Sequence, residues 1–223
     1  MNASLLVSIQ VGKPAVRGVP GSDDPMDQTW TSGIVKGNVD GPVWLGRTNL
    51  VGDGQADLVN HGGPDKAVLS YAAAHYPGWR QELDRPDLPH GAFGENFTIE
   101  GLNEEAVCIG DTYTLGEDVV VQVSQPRSPC WKLARRWRMK ELTALVERSG
   151  RTGWYLRVLR EGEVRPGLPV TLVERPFPEW TVARASGVMR TRTQDRAAAG
   201  GLAAIELLAK SWRTRLAEAA AGA

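Results

Sequence analysis

Eight short apolar runs, each closed by glycine, proline or another turn residue, set the strongest limit on what this chain can fold into. They are Leu5 to Val11, Gly33 to Val35, Val43 to Asn49, Phe97 to Ile99, Thr112 to Leu115, Val119 to Ser124, Trp154 to Leu159 and Pro169 to Glu174. Short runs with turn residues between them predict a barrel or a highly curved sheet. Two helical segments interrupt the series. Leu69, Ala72, Ala73, Tyr76, Trp79 and Leu83 fall at amphipathic spacing and predict a helix that Pro77-Gly78 kinks or divides. Glu141 to Ser149 predicts a second helix, with Gly150 as its stop. The expected class is therefore β-rich with α insertions.

The composition changes after Pro178. From Glu179 to Ala223 the chain is mostly Ala, Arg, Leu and Glu without strand-like alternation. Thr181 to Met189, Asp195 to Ala199, Leu202 to Ala209 and Ser211 to Ala220 predict three or four short helices, behind a stiff Pro176-Phe177-Pro178 linker. The expected division is a β-rich domain over 1–175 and a small C-terminal helical domain over 179–223. So short a tail holds too little core to stand alone, so it is expected to dock on the barrel or on a partner.

Charge and cysteine usage narrow the partners. The 223 residues carry 26 Lys+Arg against 26 Asp+Glu, a formal net charge of zero, so nothing favours nucleic acid or an anionic membrane. No run approaches the ~18 to 20 apolar residues that span a bilayer. Met1 to Gly12 has no basic n-region, and Cys108 and Cys130 are the chain's only cysteines. A disulfide framework is not expected, and the cytoplasm is the default location. The sequence is silent on oligomeric state.

The chemistry concentrates around one of those cysteines. Gln125-Pro126-Arg127-Ser128-Pro129-Cys130-Trp131-Lys132 follows the apolar run Val119 to Val123. Its two prolines end the strand and stiffen the turn, and Trp131 to Met139 predicts a short helix. A thiol at a helix start beside Arg127 and Lys132 suits a nucleophile or a soft-metal ligand. The alternative is a small buried hydrophobe, the usual role of a free cysteine.

A second cluster is Gly52-Asp53-Gly54-Gln55-Ala56-Asp57 followed by His61-Gly62-Gly63-Pro64-Asp65-Lys66. If the segment from Leu69 is helical, Gly62 and Gly63 bare the backbone at its start, and Lys66 adds charge to an anion cradle. His61 can donate a proton or hydrogen bond near neutrality. The competing reading is a plain helix entry with a capping aspartate. The glycine-bearing turns Gly91 to Phe97, which includes Asn96, and Ile109-Gly110-Asp111 either line a pocket or only connect strands. The H-E-x-x-H, C-x-x-C, G-x-S-x-G and P-loop patterns do not occur. His75 and His90 lack metal-ligand spacing.

Taken in order, GDGQADLVNHGGPDKAV, GAFGENFT, IGD, QPRSPCWKL and TGWYLRVL resemble the MOSC family, named for the C-terminal domain of molybdenum cofactor sulfurase. The resemblance is to its YiiM-like branch, and it extends to a three-helix unit around Trp180-Thr181-Val182 and Ser211-Trp212. It implies a MOSC-type β-barrel that binds a molybdenum–pyranopterin cofactor, with Cys130 as the metal ligand. The cofactor's phosphate would be cradled by His61, Gly62, Gly63, Lys66 and Arg127. Ser32, Lys36 and Asn96 would also face the cofactor. Cys108 matches no family role and is expected to be structural.

The same branch is associated with reducing N-hydroxylated small molecules, including hydroxylaminopurine-type base analogues and amidoximes. The nitrogen product would need an acid, for which His61 and Asp65 are candidates alongside Cys130 in the catalytic set. No flavin fingerprint, haem site or iron–sulfur cysteine set occurs, so electrons would come from a separate electron-donor protein. Two other readings use Cys130: a non-catalytic cofactor carrier, and a sulfur-transfer protein in which Cys130 bears a persulfide.

Overall fold

A computed structural model describes residues 4–222. The first strands are β1 (Ser4–Val11), β2 (Ala15–Arg17), β3 (Trp30–Ser32), β4 (Gly37–Val39) and β5 (Val43–Leu45). Next come α1 (Leu58–His61), β6 (Val68–Ala72), α2 (Tyr76–Glu82), β7 (Phe97–Glu100), β8 (Thr112–Leu115) and β9 (Val119–Pro126). Then follow α3 (Lys132–Trp137), α4 (Leu142–Ser149), β10 (Trp154–Arg160), β11 (Gly162–Val164) and β12 (Pro169–Glu174). The chain ends in α5 (Val182–Thr191), α6 (Arg196–Ala203) and α7 (Lys210–Ala221).

Seven strands form a closed barrel in the order β12-β8-β9-β10-β6-β7-β1. It closes where Ser4 and Leu5 of β1 pair with Val170 and Pro169 of β12. Neighbours are antiparallel except β6 and β7, which run parallel. The far end of β1 pairs with β4, while β2–β3 and β5–β11 make two small ribbons. Alternation fills the interior: Val119, Val121 and Val123 of β9 are fully buried, with Tyr113, Leu115, Trp154 and Leu156 in the same core. Each such side chain contributes about 1.5–3 kcal/mol when removed from water.

The expected helix over Leu69 to Leu83 is corrected by the structure. Its first part is the strand β6, followed by a 3-10 turn at Ala73–His75 and then α2, with Pro77 in the first turn of that helix. All five β6 residues are buried. A strand buried on both faces has no alternation, so its apolar residues can mimic a helical stripe. Two further expectations change at their edges. Gly33 to Val35 is a loop between β3 and β4, and the run from Val43 stops at Leu45, where Gly46 N–H turns back to the Asn49 carbonyl.

A second apolar cluster lies beside the barrel. Tyr71, Tyr76, Trp79 and Phe93 pack there with Leu133 of α3 and with Leu142 and Val146 of α4. Gly150 adopts a left-handed conformation at φ 72° and ends α4, as its position in the sequence predicts.

The tail is a helical unit seated on the barrel. Val182, Met189, Leu202, Ile205, Leu208, Trp212 and Leu216 belong to the same apolar core as the barrel strands. Its backbone is also tied down: Val182 N–H donates to Val107 O (2.8 Å), Ile109 N–H to Trp180 O (2.9 Å), and Ala209 N–H to Ser124 O (2.8 Å).

Candidate functional site

The turn leaving β9 forms one wall of an open cleft whose enclosed space is about 90 Å³. Arg127 N–H donates to Gly153 O at 3.1 Å, which fixes the end of the strand. The Arg127 guanidinium is buried and donates to Phe93 O at 2.8 Å and to Thr152 O at 3.4 Å. Beyond Ser128 and Pro129, Cys130 is half-buried and lines the cleft. Its carbonyl accepts from Leu133 N–H (3.1 Å) and from the Thr143 hydroxyl (3.2 Å), so α3 and α4 together hold the cysteine. α3 begins at Lys132, two residues after the thiol.

Opposite stand Ser32, Lys36 and Asn96. The Ser32 hydroxyl accepts from Ile34 N–H at 3.1 Å, shaping the β3–β4 loop. The Lys36 ammonium is paired with Asp53 in a nearly dry setting, the side chains being 6% and 0% exposed. Asp53 also accepts from Gly12 N–H (2.8 Å) and from Asn96 Nδ2 (2.9 Å). Asn96 in turn accepts from Leu69 N–H at 3.1 Å, which joins the loop before β7 to β6. Burial lowers the Lys36 pKa, and Asp53 opposes that shift. Replacing Asp53 with alanine strands a buried ammonium and two donors, so we expect a loss of about 3–5 kcal/mol. Equilibrium urea unfolding measures this; a loss below about 1 kcal/mol would mean that Lys36 reaches solvent once unpaired.

The glycine turn differs from its expected form. Asp57 caps α1 through Asn60 N–H (3.0 Å), and Pro64–Lys66 is one 3-10 turn leading directly into β6. Only this single 3-10 turn follows the glycines, so the expected long helix and its dipole are corrected: the segment from Val68 is consumed by the barrel. Gly63 sits at φ 93° to reverse the chain, and Gly62 packs on Leu58. Neither glycine lines the cleft; His61 and Lys66 do. Lys66 Nζ donates to Asn60 O at 2.7 Å. The Asp65 carboxylate is directed to Arg157 at 3.0 Å and does not line the cleft. Of the two expected acids, only His61 is brought to Cys130's cleft.

The field in the cleft is positive. Lys36, His61, Lys66, Arg127 and Lys132 line it, and among the described residues no carboxylate does. Burial lowers the His61 pKa below the ordinary imidazole value, and Lys132, Lys66 and Arg127 push it further down against the pull of Asp57. His61 is therefore neutral at pH 7, suited to hydrogen bonding, and an anion bound nearby would raise its proton affinity.

Sequence reasoning missed Asp53 and Tyr155. Asp53 stood within the Gly52 to Asp57 cluster, but its role was not legible, since its partners Gly12, Lys36 and Asn96 come from three distant loops. Tyr155 had a pattern to mark it: Trp154, Leu156 and Val158 of β10 face the core, which places Tyr155 on the other face, in the cleft lining. Cys108 is buried away from the cleft, with its thiol 3.5 Å from Pro178 O and its pKa raised by burial.

Comparison with known proteins agrees with this architecture. The chain is 45% identical over 208 residues to the protein YflK of Bacillus subtilis (strain 168), covering 93% of this chain and 90% of that one. It is 44% identical over 164 residues to a protein of Gibberella moniliformis named "Reductase", covering 73% of this chain and 29% of that one. The crystal structure of YiiM from Geobacillus stearothermophilus superposes with a TM-score of 0.80 at 35% identity, covering 97% and 99% of the two chains. The family model of the MOSC domain matches residues 57–171. The chain belongs to the MOSC-domain family, in its YiiM-like branch.

Proposed function

We propose that this protein binds a molybdenum–pyranopterin cofactor in the Cys130 cleft and reduces N-hydroxylated small molecules with electrons from a separate donor protein. MOSC-domain proteins are associated with the molybdenum cofactor and with oxidoreductase roles. The observation that carries the reading is a half-buried cysteine in a cleft lined by Lys66, Arg127 and Lys132 and, among the described residues, by no carboxylate.

The donor set fits the group. Among the described residues no three His, Cys, Asp or Glu side chains converge as a metal site, so a metal here must bring ligands of its own. Cys130 would be the residue that holds the metal, supplying one soft thiolate beside the sulfur donors the cofactor brings. Lys66, Arg127 and Lys132 supply charge for the cofactor's phosphate, and Lys36 and Asn96, both tied to Asp53, stiffen the opposite wall. When bound, the cofactor would supply two-electron reducing chemistry for an N–O bond. The chain's own residues would orient the substrate, and the protons taken up by the nitrogen and oxygen products would come from solvent. In this reading neutral His61 hydrogen-bonds the substrate, and Lys132 is the nearby cation able to stabilise negative charge.

The test is metal analysis of protein purified from a host that makes the cofactor, followed by assay with a reduced viologen. About equimolar molybdenum and pterin, with consumption of an amidoxime or a hydroxylaminopurine, is the expected result. Molybdenum without turnover would replace the enzyme with a carrier. A persulfide on Cys130 without molybdenum would favour sulfur transfer.

A further inference from the structure

A second cleft, of about 350 Å³, lies between the barrel and the helical tail. It is the size of a small-molecule site. Its barrel wall is the stretch Arg127 to Pro129, so Arg127 and Ser128 line this cleft and the Cys130 cleft alike. The tail wall brings Arg190, Arg192 and Arg215, over the buried side chains of Met189 and Trp212.

The charge balance of this space is lopsided. Four arginines line it against one acidic residue, Glu147, in a chain whose formal net charge is zero. Among the described residues none of the four is in a salt bridge. Arg127 is 5% exposed and fixed by its bonds to Phe93 O and Thr152 O. Arg192 is held to its own helix through Met189 O at 2.8 Å. Arg190 and Arg215 are exposed, and no hydrogen bond occupies their guanidinium groups among the described residues. Arg215 also lies near enough to Lys66 to depress its titration, so the positive field runs from one cleft into the other.

Guanidinium forks pair bidentately with carboxylate and phosphate oxygens alike, and several arginines around one cleft call for the higher charge and third oxygen of a phosphate monoester. We propose that this second cleft seats a phosphate monoester carried by the substrate, whose reactive end reaches past Ser128 into the Cys130 cleft. The proposal rests on the reductase reading and adds a substrate class to it: phosphorylated small molecules of nucleotide size.

Calorimetric titration with adenosine 5′-monophosphate and with adenosine tests it, on molybdenum-loaded and cofactor-free protein. Both forms should bind the monophosphate about tenfold or more tightly than the nucleoside, with affinity falling as salt rises. The R190Q/R215Q double variant should lose about tenfold or more of the monophosphate affinity while its melting temperature and molybdenum content stay unchanged. Equal binding of nucleotide and nucleoside would overturn the proposal, as would a double variant that binds like the parent. Monophosphate binding confined to cofactor-free protein would assign the cleft to the cofactor's own phosphate and overturn the substrate assignment. Calorimetry needs no turnover, so a chain that binds the monophosphate through these arginines but carries no molybdenum would sink the reductase reading alone.

Discussion

Cys130→Ser protein, purified from a host that makes the cofactor, is expected to lose most of its molybdenum and all of its turnover. Its fold should be unaffected. The side chain is half-buried, and the contacts that hold this turn are made by the Cys130 carbonyl, to Leu133 and Thr143, which serine retains. A substitution of that kind costs within about 0.5 kcal/mol, or about 2 °C in melting temperature for a chain of this size. The chemical loss is larger, because a hydroxyl is a harder donor than a thiol and stays protonated at neutral pH. Cys108→Ser is the matched control. Its thiol packs against Pro178 O outside the cleft, so molybdenum should stay near the parent level even if stability falls. Equal loss of molybdenum in both variants would reduce the effect to general destabilisation and remove the case for a specific ligand.

The parts of this molecule that could be read in advance are those whose cause is local. β9 was legible from its run of valines and the turn after it from Pro129, although the strand runs two residues beyond Ser124 and takes in Pro126. The stop of α4 at Gly150 was legible for the same reason. β6 was not. Its conformation is imposed by parallel pairing with β7, about thirty residues away, and burial of both faces erased the alternation that would have marked it. That single misreading also produced the expected helix start after Gly63, so one non-local pairing accounts for two errors.

The cleft divides the same way. Ser32, Lys36, His61, Lys66, Asn96, Arg127 and Cys130 were singled out from sequence and line one space. Gly62, Gly63 and Asp65 come from the same motif but serve the turn itself: Gly63 reverses the chain, and Asp65 pairs with Arg157. A motif marks a segment, whereas the barrel decides which of its side chains face inward. Asp53 illustrates the converse. Its carboxylate joins Gly12, Lys36 and Asn96, three loops whose meeting exists only after the barrel has closed.

Deletion of 179–223 is expected to lower the melting temperature by more than about 10 °C and to abolish turnover with either a viologen or a cell extract as reductant. The tail is not an appendage on a finished surface. Val107 and Ile109 are fully buried, and their backbones bond Val182 and Trp180, so removing the tail exposes apolar side chains and breaks a bridge at Cys108–Thr181. Exposing two or three such side chains costs about 5 kcal/mol in all, which corresponds to about 10–20 °C for a domain this large. The loss should also reach the cleft through Ser124. Its carbonyl accepts from Ala209 of the tail, while its single hydroxyl proton is shared between Asp65 O (2.5 Å) and Tyr155 O (3.1 Å), beside cleft residues Lys66 and Tyr155. Trp212→Ala offers a version that retains the rest of the tail, with an expected cost of about 3–5 kcal/mol. The opposite outcome is specific: if extract-driven turnover alone were lost, at an unchanged melting temperature, the tail would be a landing surface for the electron donor and its share of the core would count for little.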